Sequence, residues 1–222
     1  MKAILKSILV PGLVLLISSA AFSEPTNLAL LKKEVITYHD SGSYEHELTD
    51  VINKAHQYML AQINSNNQSA TKKNLAIVLD IDETSLSNYD RMVKRNFTAT
   101  LEQFHEDILA ADAPAIKPTL SLYNDAIKNN VKVFFVTGRQ TSEFNATKTN
   151  LLNAGYKDWS GLYMRPDDYH PKSIVHFKQK SRASISKQGY TIIASIGDQY
   201  SDILGNHAKR GFKLPNPYYF LP

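Results

Sequence analysis

Two aspartates, Asp80 and Asp82, stand one isoleucine apart directly after the apolar run "NLAIVL", residues 74–79. Like charges at such spacing are costly at the end of a buried strand unless something compensates them. Residues at i and i+2 of an extended segment project to the same side, so one carboxylate can attack while the other handles a proton. Attack on phosphorus by a carboxylate gives an aspartyl phosphate and divides hydrolysis into two easier steps. Two more apolar runs end in polar groups: "VKVFFV" in Thr137, Gly138 and Arg139, and "TIIASI" in Gly197, Asp198 and then Asp202. Asp80 and Asp198, brought together, cannot both stay ionised cheaply without a cation. An all-oxygen donor set suits Mg²⁺.

The elements that must position these groups follow from periodicity. Leu75–Leu79, Val131–Val136, Leu162–Met164 and Thr191–Ile196 read as strands without polar alternation. Between them lie helical patterns at Thr100–Ala111, with a Thr100/Gln103 capping box, at Pro118–Asn130, at Thr141–Ala154 and at Ser173–Gln188. This alternation predicts an α/β fold, a Rossmann-like parallel sheet covered by helices on both faces. Ligands in such sheets bind outside the carboxyl ends of the strands, which is where all three polar groups fall. Upstream, Leu48, Val51, Ile52, Ala55, Met59 and Ile63 mark one face of a long helix with Ser43 as N-cap. Another helix covers Leu28–Tyr38, and residues 64–74 read as a loop.

Residues 1–23 read as a secretory signal peptide: Lys2 and Lys6 precede the apolar run Ile8–Ile17 and a small-residue stretch, with cleavage after Ala20 or Ser23. The expectation is an exported protein, periplasmic or secreted, without a stable membrane anchor. The domain is expected to occupy residues 24–222. Losing the leader takes the 25 basic residues to 23 against 21 acidic ones, so the mature chain is near neutral and no nucleic-acid partner is expected. There are no cysteines, which excludes disulfides, thiolate metal sites and a cysteine nucleophile. No HExxH, GxxxxGK or GxSxG pattern occurs, which argues against a zinc protease, a nucleoside-triphosphatase and a serine hydrolase. A calcium loop starting at Asp80 fails, because Ser85 stands where glycine is needed and Arg91 where the bidentate glutamate is needed. Asn67, Asn96 and Asn145 begin N-x-S/T sequons.

"DIDET", "VTGR" and "GDQYSD", in this order and each at a strand end, resemble the motifs of the haloacid dehalogenase superfamily. More narrowly they resemble its secreted acid phosphatases, the branch of bacterial class C enzymes and plant vegetative storage proteins. The resemblance implies an Mg²⁺-dependent phosphomonoesterase with a helical N-terminal extension and a small cap inserted at about residues 85–114. It implies Asp80 as nucleophile and metal ligand, and Asp82 as general acid/base with its backbone carbonyl on the metal. Thr137 and the N–H groups after it would hold the phosphoryl oxygens, Asp198 would ligate the metal, and Asp202 would ligate it through water or support it. A lysine ahead of the last motif would neutralise charge in transfer. Lys172, Lys178 and Lys180 lie in that region, and Lys178 is favoured because "FKQKSR" resembles the storage-protein segment. Arg182 is expected to support the acidic cluster. The implied substrates are small phosphomonoesters, nucleotides among the candidates, with an acid optimum.

Plainer roles stand beside these. Arg139 reads as a structural ion pair rather than a substrate contact, Asp202 as a candidate helix-start acid, and Thr137–Gly138 as a candidate strand-to-helix turn. Tyr89 and Phe97 could stack on an aromatic leaving group, whereas Phe104, spaced with Leu101 and Ile108, reads as core. A phosphotransferase resolving the same intermediate with an alcohol, or a non-catalytic storage protein on the same fold, are the alternatives.

Overall fold

The computed structural model describes residues 24–221, so the leader assigned to residues 1–23 lies outside the described residues. Five parallel strands form one sheet: β1 (Asn74–Leu79), β2 (Lys132–Gln140), β3 (Gly161–Arg165), β4 (Tyr190–Gly197) and β5 (Arg210–Lys213). Their order is β3-β2-β1-β4-β5, with β1 paired in parallel to both β2 and β4. The chain reverses direction across the sheet between β1 and β4, the point at which such sheets open a crevice at their carboxyl ends.

Helices cover both faces, as the unalternating strands require. Leu75, Ile77 and Leu79 of β1 face the larger core, which takes in Leu48, Ile52, Ala55 and Met59 of α2 (Ser43–Gln68) and Leu122, Tyr123 and Ala126 of α5 (Lys117–Lys128). Ala76 and Val78 face the smaller one, closed by Ile185 of α7 (Val175–Lys187) together with Phe134, Val136 and Ile192. Tyr123, Tyr156 and Phe135 meet edge-on or stacked in the larger core, with ring centroids 5.0–6.2 Å apart.

α1 (Leu28–Asp40) and α2 form the N-terminal extension; none of the side chains of α1 is buried. α2 runs to Gln68, further than expected, and shortens the loop assigned to residues 64–74. The extra turn is held by Asn66, whose amide donates to the carbonyl of Lys73 and whose Oδ1 accepts the Lys73 N–H, both at 2.9 Å. Gly42, at φ +84°, takes the cap position expected of Ser43.

Between β1 and α5 the chain makes an excursion pinched at its base. Ser87 N–H donates to Pro114 O and Ile116 N–H to Ser85 O, each at 2.9 Å, around an antiparallel bridge between Leu86 and Ala115. The excursion carries α3 (Tyr89–Lys94) and α4 (Leu101–Leu109), the second opened by the expected Thr100/Gln103 capping box. Arg95 of the turn after α3 forks onto Asp107 of α4, with Nη2 to Oδ1 at 2.8 Å. Of the three apolar residues assigned to the buried face of α4, Ile108 alone is buried. Leu101 is 87% and Phe104 45% exposed, so the core role expected of Phe104 does not hold. The helix rests on the body through its last turn and through His105, not along its length. After β2 a 3₁₀ turn (Thr141–Glu143) leads into α6 (Phe144–Asn153), and α8 (Tyr200–Ile203) is a single turn after β4.

Candidate active site

The peptide after β1 stays in the sheet for one more residue: Asp80 N–H donates to Ile196 O of β4 at 3.0 Å. The chain then folds tightly, with the N–H groups of Thr84, Ser85 and Leu86 converging on Ile81 O at 3.3, 2.8 and 2.8 Å. Glu83 sits at φ +53° in this turn, and Ser85 Oγ donates to Asp80 O at 2.7 Å. The segment is therefore a turn and not the extended run assumed above. Asp80 and Asp82 consequently bond to different partners.

Asp80 belongs to a buried cluster. Lys178 Nζ, from α7, donates to Asp80 Oδ1 at 2.8 Å and also to Asp202 Oδ1. Asp80, Asp198 and Asp202 each offer a carboxylate oxygen within 4.8 Å of the others. Burial pushes the Asp80 carboxyl well above its ordinary range, and the charge of Asp202 pushes further. Burial and Asp202 likewise raise Asp198. The Lys178 ammonium is disfavoured by burial, yet Asp202 and Asp80 more than offset this and hold it above the ordinary lysine value. Lys172 and Lys180 make no hydrogen bond to the cluster.

Asp82 faces the other way. Arg139 donates from Nε to its Oδ2 at 3.0 Å and from Nη2 to its Oδ1 at 2.7 Å, while Asn88 Nδ2 reaches Oδ1 at 2.9 Å. Burial pushes the Asp82 carboxyl up, but the charge and hydrogen bonds of Arg139, with that of Asn88, outweigh it and leave Asp82 below its ordinary range. Arg139 is thus an ion pair inside the site. It owes its position to an interruption of β2, where the pairing with β3 jumps from Thr137 to Gln140 and releases Gly138 and Arg139 from the ladder. Thr137 is fully buried, and its hydroxyl accepts the Arg139 N–H at 3.1 Å. A Cβ built on Gly138 would meet no atom within 4 Å, so the space beside the loop is open.

Asp202 is both a cluster member and a helix-start acid: its Oδ2 accepts the Gln199 N–H at 2.8 Å in the capping box of α8. Gly197 makes this possible, since any Cβ there would collide with the Asp202 side chain. Arg182 stands behind the acidic cluster, donating to the backbone carbonyls of Asp202 at 2.8 Å, Leu204 and Asn206 and to none of its carboxylates.

Several participants carried no signal that sequence reasoning used. Glu83, inside "DIDET", is buried, accepts from Asn88 N–H at 2.6 Å and Tyr219 Oη at 2.8 Å, and is pushed up to about 8 by burial and by Asp82 and Asp198. Asp198 accepts from Thr84 Oγ1 at 3.0 Å and from Gln199 Nε2 and Asn216 Nδ2 at 2.7 Å each. Asn216 and Tyr219 lie in "LPNPYYF", which reads only as a turn. Tyr89 stacks on His39 of α1 at 3.3 Å between centroids and donates to Asp40 at 2.9 Å, and Phe97 lies parallel to Tyr218 at 6.2 Å.

The donor set suits a hard divalent cation. Four carboxylates (Asp80, Asp82, Asp198 and Asp202) meet two cations bonded to them, Lys178 and Arg139. Acid groups outnumber the cations in an all-oxygen site without thiol or imidazole, the chemistry that Mg²⁺ prefers.

A family model for the HAD superfamily, subfamily IIIB (acid phosphatase), matches residues 20–222. Acid phosphatase 1 of Solanum lycopersicum is 36% identical over 148 residues, which cover 65% of this chain and 58% of that protein. Vegetative storage protein 2 of Arabidopsis thaliana is 31% identical over 149 residues, covering 65% and 56% respectively. The chain therefore spans under two thirds of the length of these relatives. The class C acid phosphatase of Bacillus anthracis superposes with a TM-score of 0.66 at 20% identity, covering 86% of each chain, and shares the fold. The strand-end aspartates, the five-stranded parallel sheet and a match across nearly the whole chain lead to one assignment: the protein belongs to subfamily IIIB of the HAD superfamily, the acid phosphatases.

Proposed function

We propose that this chain is an exported, Mg²⁺-dependent acid phosphatase that hydrolyses small phosphomonoesters through an aspartyl phosphate on Asp80. The observation that carries the reading is the cluster itself: Asp80, Asp198 and Asp202 with Lys178 between Asp80 and Asp202, at the ends of β1 and β4.

Mg²⁺, held by Asp80, Asp198 and the backbone carbonyl of Asp82 with Asp202 beside them, would neutralise charge on the phosphoryl oxygens. Asp80 attacks phosphorus as an anion, and the alcohol leaves. Lys178 keeps Asp80 aligned and balances charge gathered in the transfer. The Thr137 hydroxyl, whose oxygen already accepts the Arg139 N–H, and the Gly138 N–H released from the β2 ladder are the donors on the side where Gly138 leaves room for an anion. Asp82 gives a proton to the leaving oxygen and then takes one from the water that cleaves the acyl phosphate. Arg139 favours the anionic form of Asp82, so the proton-bearing form needed in the first step is populated in acid solution. This supports the acid optimum.

Export rests on the leader-like residues 1–23 and on relatives that include a stem glycoprotein and a vegetative storage protein. Among the described residues no helix is long and apolar enough to cross a membrane. The deciding experiment is hydrolysis of a chromogenic aryl phosphate by the purified protein from acid to neutral pH, with Mg²⁺ and with chelator. Turnover that needs the metal and falls by about 10³-fold or more in Asp80→Asn is expected; metal-independent turnover, or an active Asp80→Asn, would overturn the mechanism. Added glycerol converted to glycerol phosphate would shift the assignment to phosphotransferase.

A further inference from the structure

Asp198 is oriented by three neutral donors that divide unequally between its two oxygens. Thr84 Oγ1 bonds Oδ1 at 3.0 Å, whereas Gln199 Nε2 and Asn216 Nδ2 both bond Oδ2 at 2.7 Å. Oδ2, with two short bonds from amides, has little lone-pair capacity left. Oδ1 is the oxygen left for a cation.

Thr84 and Gln199 belong to the strand-end motifs, but Asn216 arrives from the tail after β5, which carries none of them. The tail is fastened to the site at several points. Leu214 N–H donates to Gly197 O at 2.8 Å, the Tyr219 hydroxyl to Glu83 at 2.8 Å, and Leu221 N–H to Gln199 Oε1 at 3.2 Å. Asn216 is itself braced, because its Oδ1 accepts the N–H groups of Tyr218 at 2.8 Å and Tyr219 at 3.4 Å. This Asx turn fixes the side chain so that its amide has one direction in which to donate, towards Asp198.

We propose that Asn216 is a positioning residue for the metal ion: by occupying Oδ2 of Asp198 it presents Oδ1 to the cation, so residues 214–221 set the affinity of the site. The proposal rests on the reading of the Asp80–Asp198–Asp202 cluster as a cation site. Groups that orient metal ligands from behind are typically worth 10–100-fold in affinity.

The test is calorimetric titration of Mg²⁺ into the full chain, without substrate, for the wild type and Asn216→Ser. Serine keeps a short acceptor for the Tyr218 N–H, and so the turn, but is too short to donate to Asp198. The expected result is a dissociation constant raised by about tenfold or more, with a Tm in chelator close to that of the wild type. The Mg²⁺ concentration giving half-maximal aryl phosphate hydrolysis rises in step, and added Mg²⁺ recovers activity. A merely structural role would lower the Tm in chelator and depress turnover at every Mg²⁺ concentration, and that pattern overturns the proposal, as does unchanged affinity. Should the serine variant fail to fold, Asn216→Thr makes the same separation of turn from donor. A wild type that binds neither Mg²⁺ nor Mn²⁺ would remove the cation reading and this proposal together; a wild type that binds beside an unaffected variant removes the proposal alone.

Discussion

Asp80 and Asp82 differ by two positions and little else in sequence, yet the site treats them oppositely. Asp80 shares an ammonium with Asp202 and is pushed towards its protonated form, whereas Asp82 is clasped by a guanidinium and held anionic. Pairs of carboxyls whose environments drive them apart can divide the labour of nucleophile and acid/base. Removing the clasp should be informative in two ways. Arg139→Met leaves the partly buried Asp82 with the Asn88 amide but no counter-charge, and loss of one side of such a pair costs at most about 3–5 kcal/mol, measurable by denaturant unfolding. The same change lets burial raise the Asp82 carboxyl, so the fall in activity above the pH optimum should move to higher pH; a limb that stays in place would separate Asp82 from the leaving-group proton. Asp80, Asp82, Thr137, Asp198 and Asp202 follow apolar runs in the sequence and lie at or just after strand ends in the fold, whereas Lys178, picked out by the resemblance, reaches Asp80 from α7. Glu83, Asn88, Gln199 and Asn216 were illegible for a physical reason: Asn88, Gln199 and Asn216 act by donating to a carboxylate, and Glu83 by accepting from Asn88 and Tyr219, meetings that the folded chain makes and no local pattern encodes.

At the scale of elements, the long buried strands were legible because each is an unbroken apolar run, while β5 and α8 were not. β5 is four residues with two exposed glycine and arginine positions, and α8 is one turn whose only signature is its capping box. α4 misled in a different way. Its apolar residues keep a helical period, but the helix stands on an excursion whose ends are tied by two backbone hydrogen bonds, so most of that face never reaches the core. The junction of β4 and α8 is the tightest in the site, because Asp202 folds directly over Gly197. Gly197→Ala should therefore displace Asp202 from Lys178 and destabilise the fold by about 1–3 kcal/mol, the usual range for overpacking. Its thermal midpoint should fall and its Mg²⁺ affinity with it; an alanine variant of unchanged midpoint would mean that α8 is free to shift.

For the whole molecule, the proposed cation site implies that metal and proton compete for the same buried carboxylates. Asp80 and Asp198 are raised in the folded chain, so as pH climbs from about 4 the unfolded state releases its protons first and folding stability falls through the raised values. Under the proposed function Mg²⁺ would bind the ionised form and restore what was lost. The gain in Tm on replacing chelator by Mg²⁺ is expected to be larger at about pH 7.5 than at about pH 5; an equal or reversed gain would be inconsistent with these carboxylates as ligands. One feature of the bonding bears on how the protein is made. Thr84 meets Asp198 across 114 positions, and Glu83 meets Tyr219 across 136. Contacts of such separation form late, after chain closure has been achieved. A polypeptide emerging from its N-terminal side during synthesis thus carries Asp80, the proposed nucleophile, long before its site can close, and on that reading it stays chemically silent until residues beyond Asn216 have arrived.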